Sequence, residues 1–86
     1  MWDWDEAKRL TNLAKHGVDF ADIALFDWTT ARELTDLRHV YGEVRIEASG
    51  LIGDRLHVLV YTRRENAIRI ISLRKANPRE IEQWLT

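Results

Sequence analysis

The stretch from Glu43 to Lys75 restricts the fold more than any other part of the chain. Glu43 to Ser49 alternates Val44, Ile46 and Ala48 with Glu43, Arg45 and Glu47, the period-two pattern of a half-buried strand. Leu56 to Thr62 is nearly all apolar and predicts a central strand, and Ala67 to Arg74 predicts another. Gly50 to Asp54 and Arg63 to Asn66 separate these runs and leave room only for turns. Consecutive strands joined so tightly form an antiparallel meander. Trp28 to Leu34, rich in Trp and Thr, predicts one more strand before it, and Asp36 to His39 predicts a polar loop.

Helices flank the meander. Asp5 to His16 repeats Ala7, Leu10, Leu13 and Ala14 at spacings of three and four, which predicts one apolar stripe. Asp3 or Asp5 can cap its start, Lys15 and His16 suit its last turn, and Gly17 can stop it. Asp19 to Phe26 predicts a second short helix, so the two would form a hairpin covering the sheet. Pro78 follows Asn77, a cap-and-start pair for a helix from Arg79 to Leu85. The expected fold is α+β: an N-terminal helical hairpin packed on an antiparallel sheet of about four strands, then a short C-terminal helix.

With 86 residues the chain has length for one domain and one core, so 1–86 is expected to be a single unit. No cysteine is present, which removes disulfides, thiolate metal sites and thiol nucleophiles and suits a cytoplasmic setting. The start, Met1 to Glu6, is acidic, so no signal peptide is expected, and no uncharged run is long enough for a membrane helix.

Arg63, Arg64, Arg69, Arg74 and Lys75 are set into the last strands, where a core needs no guanidinium groups. Arginine's planar fork matches phosphate oxygens. Residues 1–36 carry 4 basic against 8 acidic residues and residues 37–86 carry 9 against 6, so the net charge of −1 hides a basic half. That half could attract phosphates or an acidic protein, or simply be solvated.

Several pieces in order resemble one family. They are Trp4, Asp5, Lys8, Asn12 and Lys15 to Val18, with Phe20 after them. Asp36 to His39 and Gly42 to Arg45 follow. Last come Val60 to Arg63, Ile68 to Ala76, and Glu80. Together they resemble the BrnT toxins of bacterial type II toxin–antitoxin systems, over nearly the whole chain. The resemblance implies a RelE-like fold and an endoribonuclease that blocks translation without a cofactor. It also implies a BrnA antitoxin that neutralises the toxin, assembles with it into a heterotetramer and supplies most of the contact with operator DNA. Family members often carry Tyr at Trp84 and Ala at Leu73. An indole donates but does not titrate, so Trp84 cannot take an acid–base role.

Metal-free RNA cleavage needs proton transfer at the 2′-hydroxyl and leaving oxygen, and cations for the charge on phosphorus. His16 is the acid–base candidate, because a helix C-terminus favours a positive, donating imidazolium. Arg63 and Arg74, at the ends of adjacent strands, are the catalytic cation candidates. Lys15, Arg45, Arg64, Arg69 and Lys75 are candidates for holding RNA phosphates. Arg45, between Glu43 and Glu47, equally suits an ion-paired ladder. His57, Leu59, Tyr61 and Arg63 share one strand face, and Ile70, Ser72 and Arg74 share one on the next strand. Arg69 has opposite parity to Arg74, so without a bulge the two face apart. Ser72 has no base beside it, and His39 near Asp36 suggests a dyad only weakly. Three scattered histidines lack metal-site spacing, so no metal is expected. The tryptophans, outside the basic run, are expected to be packing or partner-facing anchors. Two other readings stay open: a docking surface for an antitoxin with no catalysis, and a nucleic-acid-binding module that does not cleave.

Overall fold

The computed structural model describes residues 1–40 and 43–86, with no side chain described between 36 and 42. Strand β1 (Trp2–Asp3) precedes helix α1 (Glu6–His16), and a 3-10 helix (Phe20–Leu25) leads into β2 (Phe26–Val40). Then come β3 (Glu43–Ile52), β4 (Arg55–Arg64), β5 (Ala67–Lys75) and helix α2 (Pro78–Leu85). The sheet runs β1-β5-β4-β3-β2. Strands β2 to β5 form the expected antiparallel meander, but β1 adds a fifth strand parallel to β5. The class is α+β, and the sheet is mixed rather than four-stranded and antiparallel.

Three other details depart from expectation. The second helix is a 3-10 turn, so no α-helical hairpin forms. Residues three apart eclipse in a 3-10 helix, which sends both Phe20 and Ile23 into the core. The segment Asp36 to His39 continues β2 in backbone pairing with Arg45 and Val44, while its side chains, His39 included, lie outside the described residues. Gly50 is inside β3, and the turn is at Gly53, whose φ of 63° is left-handed.

One sheet face carries the core. Ala48, Leu59, Tyr61, Ile70 and Leu73 pack against Val18, Phe20, Ile23 and Phe26. Trp28 stacks on Trp2 at 5.6 Å and meets Phe26 edge-on at 4.8 Å. The opposite face is covered only in part: Ile81 and Trp84 of α2 pack on Leu51, Leu56, Val58 and Ala76. The Trp84 indole Nε1 donates to the Thr30 carbonyl at 3.0 Å. The tryptophans are therefore packing residues, as one of the two sequence readings held.

Helix α1 docks in an inverted sense. Asp5 caps it through Ala7 and Lys8, and Gly17, at φ 70°, closes it. Its buried residue is the polar Asn12. The Asn12 amide donates to Leu73 O at 2.7 Å and Val18 O at 3.0 Å and accepts from Leu73 N. Arg9 pairs with Glu6 and, at 2.9 Å, with Asp19, which caps the 3-10 helix. These polar ties hold the Arg9 and Asn12 side inward. The predicted apolar stripe consequently faces outward, with Leu10 53% and Leu13 38% exposed.

A methyl group at Gly50 would sit 2.6 Å from the Phe26 ring. Gly50→Ala should therefore lower unfolding free energy by about 1–3 kcal/mol, measured by urea titration. Asn12→Ala should cost about 2–4 kcal/mol in the same assay, since buried backbone groups lose their partners.

Candidate functional site

Strand register decides which basic residues meet. Arg45 pairs with Thr62, and Thr62 pairs with Arg69. The three form one row across β3, β4 and β5, on the face opposite the core. Between Val60 and Tyr61 the β4–β5 register shifts, leaving Ile71 as an extra residue in β5. That bulge reverses the parity of β5 across Ile71. Ile70 consequently joins Tyr61 in the core, while Arg69, Ser72 and Arg74 share the opposite face. The expected common face of Ile70, Ser72 and Arg74 is corrected by this one residue.

Arg63 and Arg74, expected to converge, do not meet. Arg63 pairs with Ile68 on the core-side face, and Arg74 pairs with Val58 on the other. Five positions along β4 separate the two pairs, about 17 Å at strand rise. Arg63 lies 6.0 Å from the Tyr61 ring centroid. Burial first, then the bond it donates to Glu33 at 3.0 Å, pushes the Tyr61 hydroxyl's pKa upward. Arg74 is engaged at both nitrogens by Glu80, at 2.7 and 2.8 Å. That pairing holds the Arg74 pKa above and the Glu80 pKa below their ordinary values. Glu80 also completes the α2 capping box with Asn77, so Arg74 ties the helix to the sheet. Lys75 pairs with His57 near the far end of β4, away from the row.

The uncovered part of the non-core face forms a basic groove. One hollow of about 320 Å³ is lined by Lys8, Arg45, Arg64 and Arg69, with Thr62 beneath. A second, of about 460 Å³, is lined by Lys8, Lys15, His16, Ile71 and Ser72. Lys8 and Ile71 line both hollows, so the two adjoin. Two carboxylates temper the charge: Asp3 meets Arg69 at 2.8 Å, and Glu43 meets Arg64 at 2.6 Å. Of the expected residues, His16, Lys15, Arg45, Arg64 and Arg69 gather here, and Arg63, Arg74 and Lys75 do not. Lys8 was missed as a site residue. It stands about two helical turns before Lys15, at a spacing of seven that marks one helix face.

Among the described residues, no group of three or more His, Asp or Glu side chains is placed to hold a metal ion, and no helix is long and apolar enough to cross a membrane. The chain matches no curated protein. The family model for BrnT, the ribonuclease toxin of type II toxin–antitoxin systems, matches residues 4–80.

The chain belongs to the BrnT family. The match takes in the groove and ends at Glu80, so Trp84 lies outside it. Membership makes this a toxin of the ribonuclease kind and implies an antitoxin partner. For a BrnT chain, a groove that gathers cations over an open sheet face suits a polyanionic substrate.

The Glu80 shift sets a pH dependence. Its pKa is lowered on folding, so its contribution to stability is present above the ordinary value of 4.5 and lost as pH falls through the depressed folded value. Glu80→Gln should flatten the stability–pH curve in that acidic window and leave the rest of its shape unchanged, as read by thermal melts from pH 3 to pH 7.

Proposed function

We propose that this BrnT protein is a metal-independent endoribonuclease whose active site is the groove between α1 and the Arg45–Thr62–Arg69 row. The observation that carries the reading is that row, flanked on α1 by Lys8, Lys15 and His16. Strands and a capped helix position all six residues, so the cations are held rather than trailing from loops.

The groove can bind the phosphodiester through Arg45 and Arg69, with Lys8, Lys15 and Arg64 along the neighbouring phosphates. The 2′-oxygen attacks phosphorus and the bond to the 5′-oxygen breaks, leaving a 2′,3′-cyclic phosphate and a 5′-hydroxyl. His16 delivers the proton to the leaving 5′-oxygen, and the 2′-hydroxyl proton passes to solvent. Arginine charge stabilises the dianionic phosphorane. Asp3 and Glu43 compete with phosphate for Arg69 and Arg64 and orient both before RNA arrives. Arg63, Arg74 and Lys75 stay outside this assignment.

Family membership supports the biological part of the proposal. Cleavage of transcripts in the cytoplasm inhibits translation, and a BrnA-type antitoxin neutralises the toxin in a heterotetramer that reaches operator DNA through the antitoxin.

Purified, antitoxin-free protein incubated with RNA in EDTA should yield fragments ending in cyclic phosphate. Arg45→Ala and Arg69→Ala should each slow cleavage by about 10²–10³-fold, and His16→Ala by about 10²–10⁴-fold. Intact RNA from folded protein sinks the nuclease. Binding without cleavage leaves a nucleic-acid-binding module. If Arg63→Ala is inert while Arg45→Ala and Arg69→Ala cut like the parent, the site lies on the wrong face.

A further inference from the structure

The non-core face of the sheet continues past the basic groove. Leu34 pairs with Glu47, Glu47 with Val60, and Val60 with Ser72, a second row beside that of Arg45, Thr62 and Arg69. Ser72 lines the groove, while Leu34 and Glu47 line a further hollow of about 480 Å³ beside α2. Only Val60 stands between Glu47 and Ser72 in that row, so groove and hollow share one floor. Two residues of strand rise, about 7 Å, separate Arg45 from Glu47. One splayed-out nucleotide bridges such a step.

The lining changes character across that step. Clustered cations give way to an apolar and acidic wall: Leu34 and Trp84, with Arg32, Glu47, Ser49 and Gln83 as polar groups. Two more carboxylates at the wall already have partners, Glu33 in the Tyr61 hydroxyl and Glu80 in Arg74. The Trp84 Nε1 is likewise bound to Thr30 O, so the indole offers a ligand its apolar surface. Such a wall disfavours a phosphate and suits a flat ring with polar edges. Arg32 opposes Ser49 and Leu34 opposes Glu47, which makes Arg32 and Glu47 diagonal neighbours, about 7–8 Å apart at Cα. Among the described residues no ion pair joins the two.

We infer that this hollow is a base-recognition subsite of the RNA groove, and that it takes guanine. A carboxylate only accepts hydrogen bonds, so Glu47 needs a base edge with two adjacent donor atoms. Guanine alone supplies them, in N1–H and the N2 amino group. Adenine and cytosine set a ring-nitrogen acceptor against the carboxylate, and uracil sets two carbonyls. The O6 and N7 acceptors that follow around the guanine ring meet the Arg32 fork. The ring plane packs between Leu34 and Trp84. The hollow thus selects which phosphodiester is held at Arg45 and Arg69. This inference rests on the groove being the RNA site, and base preference is measured separately from cleavage.

The test uses the full chain and short single-stranded oligonucleotides that carry a single 2′-hydroxyl, with the base on either side of the cleavable phosphate varied in turn. On one side, guanine should raise kcat/KM about 10-fold or more over adenine. Inosine, which lacks the N2 amino group, should lose about threefold or more of that gain. Glu47→Gln should bring the guanine-to-adenine ratio below about three, because a carboxamide sets a donor against one of the two guanine donors. Arg32→Ala should cut guanosine and 7-deazaguanosine substrates alike, where the parent separates them. Guanine and adenine rates within about threefold on both sides overturn the inference and spare the groove. A Glu47→Gln chain that melts like the parent and keeps its preference overturns it too. If that variant misfolds, the inosine and 7-deazaguanosine ratios of the parent decide alone. If the parent cuts nothing, fluorescence anisotropy with the same oligonucleotides decides. Guanine-selective binding then supports the hollow although the nuclease reading has failed, and binding that is absent or indifferent to the base overturns it.

Discussion

The Asn12 amide is the contact on which the working geometry depends. It satisfies the backbone N and O of Leu73 and the carbonyl of Val18, all buried, from the inward side of α1. Strand β5 is the inner neighbour of the short edge strand β1, which pairs only with Ile68 and Arg69. Past that point Asn12 takes the place of a pairing strand, and the edge is closed by a side chain. Because the bonds are directional, they set the rotation of α1 about its axis. Lys8, Lys15 and His16 then face the groove, and Leu10 and Leu13 face away from the sheet.

The bulge at Ile71 is the second decision point. A single inserted residue puts Arg69 and Arg74 on one face and Ile70 on the other. The core needs Ile70 beside Tyr61 and Leu73 beside Leu59, both of which are fully buried. Those two demands are incompatible with regular alternation, since 70 and 73 differ in parity. The bulge reconciles them, and as a consequence Ile71 stands between the two halves of the groove. Arg74 then belongs to Glu80 and α2, while Arg69 remains at the open end with Arg45.

These two features explain what was legible beforehand and what was not. The β3–β5 meander, the Asp5 and Gly17 ends of α1, and the Asn77–Pro78 start of α2 follow from local chemistry, and each was readable. Phe20 and Ile23 are three apart, a spacing that both helix types share, so the local pattern does not separate the 3-10 turn of Phe20 to Leu25 from an α-helix. Strand β1 has only two residues and thus no periodicity to read. Pairing Arg63 with Arg74 failed because both lie at strand ends in the sequence yet belong to opposite faces and opposite ends of the hairpin.

By itself the sequence determined the meander and the two α-helices that flank it, their caps, the gathering of positive charge after residue 37, and membership of a toxin family, because these depend on neighbours along the chain. Only the tertiary structure decided which cations share a groove and which side of α1 is left outward. Those outcomes depend on register across strands and on one buried amide, and neither leaves a periodic trace. An apolar stripe read from spacing alone is a statement about a helix, and only its docking partner says which way that stripe points.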